Sequence, residues 1–457
     1  MKIFIAILIA APLVLAGCVG ITREGERQAR HDVRAVGEVY RPKGERPVLP
    51  KLTNDSGFDD FMRHAMLNQP QVEAAYFDWA ASVERITVER SLPDPRLTFQ
   101  ADIADIIMSL MPGLMMDFPG PGKLGARAQV ASEESRGKYF QFESAVLQAA
   151  FALKKSFYQL YFLDEKIRVN QQTLDLLADL EKLARSQNEV GKVTLQDVLR
   201  AQVEQDRLRT ETVNLDDSRH SLMAQFKAAL GLTSDQPDPP VPAKFASTPV
   251  VSDEQLWTAA LARNPELKAM AAEVRRAEAL LRLAHKERVP DFNLGLEADA
   301  LAAPTMFRPQ FGMTLPIWRD KIAAEIAGAQ AENRAAKARL TAAQISLAVE
   351  FAEKSFMFRE ASRNLDLLQK QLLPKTRLSL EVARSGYLSG QIDFFNVIDT
   401  ERTLLNFTLA EIEARTQREL TLAELSLVIA GLPPVNAPVL NQTPVKSTNQ
   451  TKKEKKP

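Results

Sequence analysis

The chain has one cysteine, Cys18, and four histidines in 457 residues, and beyond Leu15 it holds no apolar run near the ~18 residues that a membrane-crossing helix needs. A single thiol excludes an internal disulfide. His31, His64, His220 and His285 stand at no metal-ligand spacing with one another or with a carboxylate, and each is read as a surface or helix-face residue. No glycine-rich phosphate loop and no nucleophile elbow occurs, so the chain is read as a non-enzyme that needs no cofactor. Charge of one sign is lacking as well. The 58 Lys+Arg balance 58 Asp+Glu, which removes the basic footprint that nucleic acid requires. Without a spanning helix, the only route through a bilayer is by strands.

What is present begins at the N-terminus. Lys2 precedes the apolar segment Ile3 to Leu15, and Leu15-Ala16-Gly17-Cys18 resembles the bacterial lipobox. That resemblance implies a signal peptide over 1–17, cleavage before Cys18 and a lipid on its sulfur. Residues 18–57 are polar and broken by prolines, and read as an extended leader. The stretch from 433 to 457 reads as a disordered tail, ending in Lys452-Lys453-Glu454-Lys455-Lys456.

Between these the chain carries one long pattern twice. Pro70 recurs as Pro265 and Pro95 as Pro290, in both cases 195 residues further on. The offset drifts only slightly to Pro119 and Pro316, Lys123 and Lys321, Lys155-Ser156-Phe157 and Lys354-Ser355-Phe356, and Gly191 and Gly390. The domain plan is therefore a repeat over 58–236, a proline-rich linker over 237–250 and a second repeat over 251–432.

Each repeat opens with a helix, the first from Phe58 to just before Pro93, and gives way to period-2 alternation, Leu97, Phe99, Ala101 and Ile103 in one copy and Phe292, Leu294 and Leu296 in the other. Return strands are expected over about 113–118 and 307–315, closing a hairpin in each repeat. Long helices follow from Lys123 to Asn188 and from Lys321 to Ser385, the latter crossed by Pro374. Each turns through a glycine and returns, over Leu195 to Leu230 and Phe394 to Ile429. Ala201, Leu208, Leu215, Leu222 and Ala229 repeat every seven residues, and Ala323, Ala324, Ala327, Ala331, Ala335, Ala338 and Ala342 offer a small-residue seam for close helix contact. The class is mainly α with a small β part. Four strands per chain cannot close a barrel, which takes about eight, and an open edge cannot face lipid, so several chains must share one barrel.

The duplicated strand pair and helical hairpin, the Pro-x-x-x-Lys lead-in at Pro119 to Lys123 with its counterpart at Pro316 to Lys321, and the glycine turns at Gly191 and Gly390 resemble the TolC-type outer-membrane factors of tripartite efflux systems. The resemblance covers about residues 58–432. It implies a homotrimer, a 12-stranded β-barrel in the outer membrane continued by a 12-helix periplasmic α-barrel, and partners in a periplasmic adaptor and an inner-membrane pump. It also implies docking tips at Val190, Gly191, Thr194, Ser389 and Gly390. A periplasmic gate is implied at Asp197, Tyr387, Asn396 and Asp399, where Asn396 replaces one aspartate of the family's ring and Ile392 its gate arginine. The whole segment from Met108 through Phe118 to Leu124 is similar to the heavy-metal branch of that family, the Czc/Cus type. Met108, Met111, Met115 and Met116 are metal candidates on thioether chemistry alone, their plain role being apolar surface. Multidrug efflux and protein secretion use the same kind of duct. A periplasmic adaptor is disfavoured, because it would show one helical hairpin rather than two.

Overall fold

The computed structural model describes residues 24–53, 55–103, 107–242, 245, 247 and 252–440. Cys18 with its lipobox, part of the linker and the tail beyond 440 lie outside the described residues. The described chain is mostly helical with one small sheet. It divides into two compact units, one of residues 24–45, 74–143 and 265–345 and one of 46–73, 144–264 and 346–440.

The first unit holds the sheet. Strands β1 (Arg96–Ile103), β2 (Ile107–Phe118), β3 (Phe292–Asp299) and β4 (Met306–Met313) form one antiparallel sheet in that order. The hairpins of the two repeats thus join through β2 and β3, with Phe118 opposite Phe292 and Leu114 opposite Leu296. Register sorts the faces completely, since alternate side chains leave opposite sides of a sheet. Leu97, Phe99 and Ala101 lie across from Leu114, Pro112 and Leu110, and Leu294, Leu296 and Ala298 across from Phe311, Pro309 and Phe307. That face is apolar throughout, and it is open: Leu97 is 78% and Phe311 70% exposed. The opposite face carries Thr98, Asp102, Asp117, Asn293, Glu297, Asp299 and Arg308. The outer edges of β1 and β4 pair with no strand among the described residues. β2 starts at Ile107 rather than near 113, so the methionine-rich stretch is strand and not connection.

Helices α1 (Glu24–Tyr40), α3 (Pro70–Arg90), the start of α4 (Lys123–Glu189), α7 (Pro265–Lys286) and the start of α8 (Arg319–Leu367) complete this unit. α1 corrects the expectation of an extended leader. Buried Glu26 takes Arg90 at 2.6 Å and Thr87 at 2.7 Å, while Tyr40 packs against Tyr76 at 5.1 Å and Phe142 at 5.7 Å. Tertiary contacts make a helix of a polar segment whose local signal is weak. Buried Lys123 fixes the base of the sheet, reaching Glu287 at 3.2 Å and Asp291 at 3.0 Å, and Asp291 also accepts the Gly120 N–H at 2.6 Å. The Pro119 to Lys123 lead-in of one repeat is thereby tied to the Pro290-Asp291 step of the other.

The second unit is helical. It contains α2 (Phe58–Asn68), most of α4, α5 (Leu195–Ala229), α6 (Asp253–Arg263), the end of α8, α9 (Leu373–Leu388) and α10 (Phe394–Ala423). The helix expected from Phe58 to Pro93 is broken between α2 and α3, because Pro70 favours a helix start and disfavours helical geometry at Gln69. A π-helical turn at Leu368–Leu372 interrupts the run expected from Lys321 to Ser385. Pro374 lacks the N–H that α geometry would give to Lys370, so the helix opens just before it. A second π turn, Glu424–Ile429, ends the last helix. His64 is buried rather than on the surface, its Nδ1 3.4 Å from the Pro50 carbonyl, and burial pushes its pKa down.

Asparagine closes both helical hairpins in the same way. Asn68 Nδ2 donates to the carbonyls of Leu230 at 3.0 Å and Gly231 at 3.1 Å, and Asn264 Nδ2 to those of Ile429 at 3.0 Å and Val428 at 3.3 Å. These satisfy orphan carbonyls at a helix end. On α5, Ala201, Leu208 and Ala229 of the heptad run are buried, Leu215 and Leu222 half-buried, and buried Gln205 and Thr212 fill the intervening seam positions. The alanine seam on α8 stands open along most of its length. Ala323, Ala324, Ala327, Ala331, Ala338 and Ala342 are exposed, while Ile326, Asn333, Ala336 and Leu347 are buried.

Candidate functional site

The two glycine turns are built alike. Gly191 has φ +70° and Gly390 φ +76°, a region that an L side chain pays strain to enter. Lys192 N–H donates to the Gln187 carbonyl at 2.9 Å and Gln391 N–H to the Gly386 carbonyl at 2.8 Å, the same six-to-one closure of a helix end. Thr194 and Asp393 then hold extended backbone as the next helices begin. Val190, Gly191, Thr194, Ser389 and Gly390 are all exposed, and nothing lies within 4 Å of where a Cβ on Gly191 or Gly390 would stand. Gly386 is the opposite case. Its Cβ would fall 2.6 Å from Ile392 Cδ1, so Ile392, expected where the family has a gate arginine, packs against the turn.

Behind the turns one apolar cluster ties four helices together. Leu177, Leu180 and Ala184 of α4, Val198, Ala201 and Leu208 of α5, Leu380, Ala383 and Tyr387 of α9, and Phe394, Val397 and Ile398 of α10 form it. The Tyr387 ring sits 5.1 Å from that of Phe394, and its hydroxyl has no hydrogen-bond partner among the described residues. Burial and then the Asp197 charge raise the Tyr387 pKa. Burial also raises that of Asp197, against the pull of Arg200 at 3.8 Å and with a further push from Asp393. The structure thus brings Asp197 and Tyr387 within electrostatic reach. Asn396 and Asp399 lie exposed one turn apart on α10, and Asp399 lines a groove between α5 and α10 with Arg200, Glu204, Phe395 and Arg402. In that groove Arg402 pairs with Glu204, and the Arg200 guanidinium lies 5.4 Å from the Phe395 ring centre.

Three features escaped sequence reasoning. Glu181 accepts from Gln202 at 2.8 Å, Gln205 at 2.9 Å and Arg185 at 2.8 Å, which draws its pKa down to about 2. Arg402 holds Glu204 at the groove mouth. Glu401 is buried within the cluster, and its Oε2 has no partner among the described residues. A signal for Glu401 exists: it stands where the spacing Phe394, Val397, Ile398, Leu404, Leu405 calls for an apolar residue. On β2, Met111 and Met115 share the polar face, whereas Met116 is on the apolar one; the Met108 side chain lies outside the described residues. No group of three His, Cys, Asp or Glu side chains that could hold a metal occurs among the described residues.

The duplicated unit of strand pair and long helical hairpin marks the class of outer membrane efflux proteins. The profile of the outer membrane efflux protein family matches residues 62–232 and 256–431, one match per repeat, and the chain belongs to that family. The cobalt-zinc-cadmium resistance protein CzcC of Cupriavidus metallidurans is 24% identical over 263 residues, 55% of this chain, and the match spans only 60% of that relative's length. Among solved structures the fold is similar to the outer membrane protein VceC of Vibrio cholerae, with TM-score 0.67, 16% identity and coverage of 81% of this chain and 95% of that one. CusC, described as forming a transmembrane channel, superposes with TM-score 0.70 at 13% identity, covering 84% of this chain and 98% of that one.

Proposed function

We propose that the chain is the outer-membrane exit duct of a tripartite efflux system, a homotrimer that receives substrate from an inner-membrane pump through a periplasmic adaptor. The sheet carries the reading. Its apolar side suits lipid, its polar side suits water, and its two open edges must find strands elsewhere, because an unpaired edge is not tolerated in hydrocarbon. Three copies side by side give a 12-stranded barrel, within the range of closed membrane barrels. The exposed alanine face of α8 would then meet a neighbouring copy, where small residues permit close approach. A lipid on Cys18 would anchor the chain to the outer membrane.

The tips at Val190, Gly191, Thr194, Ser389 and Gly390 would dock the adaptor, and Asp197, Tyr387, Asn396 and Asp399 would line the periplasmic gate. The duct needs no catalytic group, since the pump supplies the energy. Likeness to CzcC favours heavy-metal cations as substrate. A growth panel of the deletion strain on zinc, cobalt, cadmium, copper and silver salts beside dyes, detergents and antibiotics tests this. Hypersensitivity confined to metals is expected. Sensitivity to organic compounds alone would make the protein a multidrug duct, and no sensitivity at all with loss of a secreted protein would make it a secretion duct.

A further inference from the structure

Where α4, α5 and α10 meet, a cavity of about 130 Å³ opens between the helices. An engineered cavity of about 150 Å³ with apolar walls takes up one benzene, so this space suits a single small organic group. Its walls are of two kinds. Leu177 of α4, Leu208 of α5 and Ile398, Leu405 and Leu409 of α10 are apolar, whereas Glu204, Arg207 and Glu211 of α5 and Glu401 and Arg402 of α10 are ionisable. With every group ionised, three carboxylates against two guanidinium groups leave one negative charge. Arg402 is already held by Glu204.

Glu401 decides what chemistry fits. It is only 3% exposed, and its Oε2 has no hydrogen-bond partner among the described residues. A carboxylate oxygen only accepts, so a buried one without a donor is costly until something supplies the donor. A chelated metal ion does not suit the site, since no group of three His, Cys, Asp or Glu side chains that could hold one occurs among the described residues. A primary ammonium does suit it: three N–H donors and one positive charge sit at the end of an apolar body. We propose that this cavity binds one small primary ammonium ion, its nitrogen donating to Glu401 Oε2 and its carbon body lying against Leu177, Leu208 and Leu405. Bound there, the ion touches α4 and α5 of one helical hairpin and α10 of the other, and so strengthens their contact. The site stands whether or not the chain is a duct.

The test titrates the full chain, purified in detergent, with benzylammonium chloride by isothermal titration calorimetry at pH 8. One ion per chain is expected to bind. Glu401→Gln keeps the shape and removes the charge, and should weaken the affinity at least about tenfold, the scale of one charge-assisted hydrogen bond. Leu405→Trp fills the cavity and should abolish binding with the carboxyl still in place. Benzyl alcohol, of the same shape but neutral, should bind at least about tenfold more weakly than the ammonium. Acidity gives a further readout. Burial holds Glu401 at a pKa of about 7 against the pull of Arg384 on α9; Glu204, Arg207, Glu211 and Arg402 face the cavity from α5 and α10, and α4 lines it with Thr173 and Leu177 alone. The ion binds the carboxylate, so wild-type affinity should fall about tenfold from pH 8 to pH 6, while that of Glu401→Gln stays flat. Thermal melts of the same samples separate a lost site from a lost fold, and if Leu405→Trp does not fold, Glu401→Gln decides. No binding by wild type, equal binding by wild type and Glu401→Gln, or benzyl alcohol binding as tightly as the ammonium overturns the site.

Discussion

Glu401 occupies a position on α10 where leucine would fit the pattern, and the carboxyl must be accommodated among Leu177, Leu208, Ile398 and Leu405. Burial pushes its pKa from 4.5 to about 7, against the pull of Arg384. The folded chain therefore holds this proton more tightly than the unfolded chain does. The stabilisation of the protonated form is complete below the ordinary glutamate value and is lost as pH rises from there to about 7. Glu401→Gln should accordingly unfold at higher temperature than wild type at pH 8, by the equivalent of about 3 kcal/mol, with the gap closing at pH 4. A gap of equal size at both pH values would assign the effect to packing and not to the proton. Residues of this kind were the least legible in the sequence. Glu401 breaks the apolar spacing of α10, but that break alone does not single out a carboxyl whose oxygen goes unpaired, and Asp197 and Tyr387 were expected at a gate only from resemblance, their proximity visible once α5 and α9 are packed.

At the scale of elements, four glycines with positive φ end helices in two different settings. Gly191 and Gly390 stand in open space, whereas a Cβ on Gly231 would fall 2.6 Å from the Asn68 carbonyl oxygen and one on Gly431 2.8 Å from that of Arg263. Gly191→Ala should cost only the backbone strain of about 1–2 kcal/mol. Gly231→Ala adds a collision with fixed backbone and should lower the thermal midpoint further, by at least about 1 kcal/mol in equivalent stability. Calorimetry on both variants decides. Gly191→Glu or Gly390→Glu is expected to abolish efflux while the protein still inserts and runs as an oligomer on gels; loss of the oligomer would assign these turns to folding. Long helices were legible because proline is absent from 123 to 189, and β1 and β3 because their alternation is strict, whereas the start of β2 was hidden because Met111 and Met115 break the alternation there. α1 and the π turn at Leu368 were hidden, the first because its stability comes from Arg90, Tyr76 and Phe142, far along the chain, the second because a proline signals a disturbance and not its form.

For the molecule as a whole, the proposed trimer should form cation-preferring pores, and Asp399→Ala should weaken both that preference and block by divalent cations. Unchanged reversal potentials would leave Asp399 a solvated helix carboxylate beside Arg402. The repeat was the most legible feature, since an offset held near 195 residues cannot be an accident of composition. Its structural meaning was not: both hairpins enter a single sheet, joined at β2 and β3 and locked at the base by Lys123 and Asp291. That internal seam changes the molecularity of assembly. A ring of twelve strands made from separate hairpins would have to gather six bodies, and each encounter forfeits on the order of 4–15 kcal/mol of translational and rotational freedom. With one seam in two already closed within the chain, three bodies suffice, and the yield of finished ducts follows the third power of subunit concentration instead of the sixth. A cell that makes few copies can still complete them.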